Sequence, residues 1–131
     1  MADGIDVLLD WLWEHGIRTG VISNISFNEH TLRRRIESFL PGHHFEFIVA
    51  SSEYVFRKPS HWIFELALRK AGLPANEVWY CGDNDACDVK GALAAGMQPV
   101  WYAPGVQGSA SSPGAICCRD WRELIPVLER L

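Results

Sequence analysis

A chain of 131 residues, 48% of them hydrophobic, is long enough for one domain with a single core and has the composition of an ordinary globular protein. Its net charge of -4 argues against nucleic acid or an anionic membrane as partner, since Arg33-Arg34-Arg35 is the one basic cluster and reads as a solvated helix face. No apolar run approaches the roughly 20 residues that span a bilayer, and Met1-Ala2-Asp3-Gly4 lacks the basic-then-apolar start of a signal peptide; a cytoplasmic protein is expected.

Ile5, Leu8, Leu9 and Leu12 repeat at helical spacing behind a candidate Asp3 cap, so a first helix is predicted over about residues 3 to 15, ending before Gly16. Asp6 and Asp10 lie one turn apart on it, where acidic residues usually face water and favour the helix dipole. Arg18 to Asn24 reads as a buried strand ending in small polar residues, followed by an Asn28-led helix carrying Leu32, Ile36 and Phe39. His43-His44 sits in a Pro-Gly turn region with no third ligand at helical spacing and is assigned no metal.

Glu46 to Ser51 gives a second strand, and Ile63, Phe64, Ala67, Leu68 and Ala71 form the apolar stripe of a helix closed by Gly72. Val78 to Cys81 is a third strand, Asp88 to Ala95 its following helix, Gln98 to Ala103 a fourth strand and Ala115 to Cys118 a short fifth. Asp120-Trp121-Arg122-Glu123 is a capping-box signature opening a last helix. Gly105 to Gly114 is a Ser-, Gly- and Pro-containing surface loop. Cys81, Cys87, Cys117 and Cys118 lack the paired spacing of a zinc site and read as buried free thiols. Trp62, Trp79 and Trp101 read as core or interface residues before pocket residues.

Strands alternating with helices imply parallel pairing through right-handed crossovers, hence a three-layer α/β/α, Rossmann-like sandwich. Three polar signals then fall at strand ends: Ser23-Asn24 after the first, Lys58-Pro59 ahead of the helix that follows the second, and Asp83 with Asp88 after the third. Parallel strands bring such corners to one edge, where ligands of open α/β sheets collect. A hydroxyl with free backbone N–H groups, an ammonium and two carboxylates suit a phosphoryl group and a hard cation. Each signal also has an ordinary reading: Ser23 as a turn former, Lys58 as a surface lysine, Asp83 as a turn residue, and Asp85 or Asp88 as a helix cap.

In that order, Gly20-Val21-Ile22-Ser23-Asn24, Arg57-Lys58-Pro59 with Ile63-Phe64, and Gly82-Asp83 through Asp88 with Gly91-Ala92 resemble the second, third and fourth motifs of the haloacid dehalogenase (HAD) superfamily. The resemblance runs from the first helix to the last residue and implies a single HAD-like core domain over 1–131 without a cap domain. It implies a phosphatase acting on a small phosphorylated substrate with Mg²⁺. Ser23 and Asn24 would bind phosphate, Lys58 would hold phosphate and nucleophile in place, Asp83 would bind the metal and Asp88 would support it.

The same resemblance exposes a gap. The family's nucleophile and acid-base aspartates stand as Asp-x-Asp after a strand that precedes every element read here, and this chain has no such element. Asp3, Asp6 and Asp10 follow no apolar strand, and Asp83-Asn84-Asp85 already belongs to the fourth motif. Without the nucleophile no aspartyl-phosphate forms, so this chain is expected to be the C-terminal part of a longer enzyme and inactive alone, with a noncatalytic binding module as the alternative. The absent strand would lie mid-sheet, between those ending in Ser23 and Asp83, and its loss would leave open edges that favour self-association.

Overall fold

The computed structural model describes residues 4–23, 29–50, 61–105 and 114–131, without the side chains of residues 23, 29–32, 50, 61, 62 and 86. Helix α1 (Ile5–Glu14) starts at Gly4, whose φ of 81° is left-handed; the candidate Asp3 cap lies outside the described residues. A Cβ at Gly4 would collide with the Asp120 carboxylate and the Arg122 side chain, so glycine here lets the start of α1 sit on the turn that precedes the last helix. Strand β1 (Thr19–Ser23), helix α2 (Glu29–Phe39), strand β2 (Phe45–Ala50) and helix α3 (His61–Ala71) follow. Then come β3 (Trp79–Gly82), a π-helical turn (Asp85–Val89), α4 (Lys90–Ala94), β4 (Gln98–Tyr102), β5 (Ile116–Cys118), a 3₁₀ turn (Trp121–Glu123) and α5 (Leu124–Glu129).

All observed pairings are parallel, as expected: β1 with β2, β3 with β4, and β4 with β5. They make two sheets, β1-β2 and β3-β4-β5. Two buried clusters mark the helical layers. Leu8 of α1, Val100, Tyr102, Cys118, Trp121 and Leu124 fill one, where Tyr102 and Trp121 stack with ring centroids 4.6 Å apart. Val49, Ile63, Phe64, Ala92 and Met97 fill the other, against α3 and α4. Trp79 packs on the first cluster, and Val78 and Tyr80 on the second, the alternation a strand between two layers requires.

Between the sheets runs a slot of about 540 Å³ with mainly apolar walls. β1 lines one side and β3 the other; α1 and α5 close one face and α3 the opposite one.

Several expectations shift in detail. Phe39, one of the apolar residues that α2 carries, is exposed. Of the four thiols only Cys118 is buried; Cys81 is exposed where β3 borders the slot. Asp88 does not open a helix: the turn begins at Asp85, and Asn84 is its cap, its Oδ1 accepting from the Cys87 N–H at 2.9 Å. Among the described residues no helix is long and apolar enough to cross a membrane.

Candidate functional site

Strand β3 ends at Gly82, and the chain turns into Asp83 and Asn84 before the π turn. That turn is wound wider than an α-helix: the Val89 and Lys90 N–H groups reach back five residues, to the Asn84 and Asp85 carbonyls. Such one-turn expansions recur at functional sites because they re-aim a side chain. Here the side chain is that of Asp88, 4% exposed and the only charged residue among the buried ones described. Its Oδ2 accepts from the Asn84 N–H at 3.1 Å.

Glycine at 82 is what makes room for it. A Cβ there would overlap the Asp88 carboxylate, with its Oδ2, Cγ and Cβ all in collision. Asp83 next door is exposed, and its carbonyl accepts from Trp101 Nε1 at 3.0 Å. Since Trp101 is the β4 partner of Gly82, the register of that pair anchors the corner.

Tyr80 was not singled out in the sequence, although it stands two residues before Gly82 on the same face of β3. Its hydroxyl lies 3.4 Å from Asp88 Oδ1 and 3.5 Å from the Ile22 carbonyl. Both distances are long for O–H···O bonds, so the hydroxyl spans the gap between β3 and β1 more than it clamps it. Burial first, then the charge of Asp88, pushes the Tyr80 hydroxyl well above its ordinary range, so it stays a neutral donor. Its ring meets Phe64 edge-on at 5.0 Å.

The sequence candidates therefore divide. Asp83 directly follows β3 and Asp88 lies in the π turn after it. Ser23 follows Ile22, so its backbone closes β1 beside the Tyr80 hydroxyl, while its side chain is outside the description. Asn24 and Lys58 lie outside the described residues. Trp79 borders the slot and Trp101 holds the corner.

Asp6, Asp10, His43 and His44, given no role from sequence, line a separate hollow of about 280 Å³ together with Trp13, which stacks on His44 at 3.6 Å. Among the described residues no group of three or more His, Cys, Asp or Glu could hold a metal ion. Asp83, after β3, and Asp88, in the π turn, carry carboxylate oxygens, the donor type that Mg²⁺ takes beside waters and substrate oxygens.

Residues 1–102 match the family model described as haloacid dehalogenase-like hydrolase. The chain belongs to that family. It is 35% identical over 101 residues, 74% of its length, to the human haloacid dehalogenase-like hydrolase domain-containing protein 3, of which the match covers 38%. It is 37% identical over 66 residues to a phosphoserine phosphatase of Thermus thermophilus, covering 50% of this chain and 26% of that protein. Among solved structures, a 2-haloacid dehalogenase from Pseudomonas syringae pv. Tomato aligns over 96% of this chain and 52% of its own, with TM-score 0.78 and 28% identity. The chain thus has the mixed α/β, Rossmann-like fold of HAD hydrolases and spans about half or less of these relatives.

Proposed function

We propose that this chain is the cation- and phosphate-binding part of a Mg²⁺-dependent HAD phosphohydrolase for a small phosphorylated metabolite, catalytically silent without further polypeptide. The observation that carries the reading is the Gly82 corner. A buried carboxylate, Asp88, is seated where only glycine leaves space, an exposed one, Asp83, sits beside it, and the end of β1 lies within reach through Tyr80.

In this reading Asp83 contributes a metal ligand, while Asp88, with Oδ2 engaged by the Asn84 N–H, fixes the corner's shape and charge. Bound there, Mg²⁺ would supply neutralisation and orientation of the phosphate. Ser23, Asn24 and Lys58 would hold the anion. Phosphatase is preferred over dehalogenase because a divalent cation site serves a phosphate's charge, and a phosphatase stands among the relatives. The sequence supplies no nucleophilic Asp-x-Asp behind a strand, which favours silence of the chain alone and keeps a noncatalytic binding module as the second reading.

Hydrolysis of an aryl phosphate with Mg²⁺ should be absent for residues 1–131 and present in a version extended upstream. In that version Asp83→Asn should lower the rate by on the order of 100-fold, and Asp88→Asn should raise the Mg²⁺ concentration needed for half-maximal rate by ~10–100-fold. An inactive extended protein that still binds phosphate would establish the noncatalytic reading instead.

A further inference from the structure

The hollow of about 280 Å³ lies at the opposite end of β1 from the Gly82 corner. Thr19, which opens β1, and residues 41–44, which lead into β2, form part of its wall. Helix α1 contributes Asp6, Asp10 and Trp13, and the C-terminal end of α2 contributes Phe39. Six large hydrophobic residues are exposed among those described, and three of them, Trp13, Ile17 and Phe39, gather at this hollow. Exposed apolar residues scattered singly need no explanation, whereas a gathered set marks a contact surface. Trp13 rests one face on His44 at 3.6 Å and is still 58% exposed. The wall beneath is fixed: His43 Nδ1 accepts from the Phe45 N–H at 3.2 Å, and the two rings lie 4.7 Å apart.

The charge of the hollow is one-sided. Asp6 and Asp10 stand one turn apart on α1, and both are exposed. Among the described residues neither carboxylate takes part in a hydrogen bond or ion pair, and no lysine or arginine lines the hollow. The geometry points to a docking site for an arginine-bearing segment of a partner protein. The guanidinium pairs with Asp6 and Asp10 and lies on the Trp13 ring, while apolar neighbours of the arginine cover Ile17 and Phe39. Arginine suits the site better than lysine because its planar fork matches carboxylates, stacks on aromatic faces and is more weakly hydrated. Tryptophan and arginine also lead among the residues that carry binding energy at interfaces. Sites that enclose a whole small-molecule ligand run from about 300 to 1,000 Å³, so this hollow fits a side chain better than a free metabolite. A second copy fits poorly: its basic cluster is Arg33-Arg34-Arg35, of which Arg33 and Arg35 are already engaged. The inference goes beyond the phosphohydrolase reading and needs no metal.

The test is an NMR titration of the 131-residue chain with a blocked pentapeptide that carries arginine at its centre and leucine on either side. Shifts should concentrate at the Trp13 indole N–H and at the amides of α1 and residues 41–44. A peptide with citrulline in place of arginine keeps the shape without the charge and should bind at least about tenfold more weakly. Asp10→Asn and Trp13→Ala should each weaken the arginine peptide by about tenfold. Both positions are exposed, and unchanged amide shifts in β4 and β5 would verify that each variant keeps the fold. Equal binding of the citrulline peptide, unchanged affinity in both variants, or no shift at millimolar peptide would each overturn the proposal. So would N-acetyl-arginine amide binding as tightly as the peptide, which would make the hollow a small-molecule site, or a dimer that already covers Trp13 before peptide is added.

Discussion

At Gly82 one missing methyl group decides where a carboxylate goes. Its backbone is not in the left-handed region, so the requirement is steric and not torsional. Gly82→Ala must therefore displace Asp88 or the strand end, and overpacking of this kind costs about 1–3 kcal/mol. Chemical denaturation should find that loss, and a change within about 0.5 kcal/mol would mean that the corner yields freely. Tyr80→Phe keeps the ring against Phe64 and removes only the hydroxyl between Asp88 and Ile22. Given the long contacts it should cost no more than about 1 kcal/mol. A larger loss would show that the hydroxyl holds β1 to β3 more firmly than its distances imply.

Among the elements, the capping box before α5 gives a defined pH response. Asp120 Oδ1 accepts from the Arg122 N–H at 2.9 Å, Glu123 Oε1 accepts from the Asp120 N–H at 2.9 Å, and the Arg122 guanidinium meets the Asp120 carboxylate at 2.6 Å. The side-chain bond from Arg122, then its backbone N–H, lowers the Asp120 carboxyl to about 2. Because the folded value lies below the ordinary one near 4, its stabilisation is complete above about pH 4 and disappears as pH falls through about 2. Asp120→Ala should melt lower than the parent at pH 7, and the two melting curves should converge toward pH 2. A gap that persists at pH 2 would assign the effect to packing against Gly4 instead. This box was legible from Asp-x-x-Glu spacing alone, as was the strand-helix alternation, because both are local patterns. The π turn was not: Asp85 and Asp88 at that spacing read equally as the first turn of an α-helix, and only the hydrogen bonds of Asn84 and Asp85 distinguish the two. Nor was Tyr80, whose partners lie on β1 and in the following turn, a juxtaposition made by tertiary packing.

At the scale of the whole molecule, the two sheets share helical layers but, among the described residues, no strand pairing. β1-β2 is held to the rest by α3 and by residues such as Ile22 and Phe47 on the cluster that contains Phe64. Gly20 permits this packing by leaving space for the Phe47 ring, which a Cβ would strike. The three-stranded sheet has a cluster of its own, closed by α1 and α5, and depends less on β1-β2. Regions joined by fewer buried contacts open at lower free energy than the global transition. Native-state hydrogen exchange should therefore find the amides of β1 and β2 opening together, before those of β4. Phe64→Ala, which removes a fully buried ring from the shared cluster, should cost about 3–5 kcal/mol and widen that difference by exposing β1-β2 first. Equal protection in both sheets, lost equally in the variant, would mean that the helices alone make the molecule a single cooperative unit and that the slot is no seam.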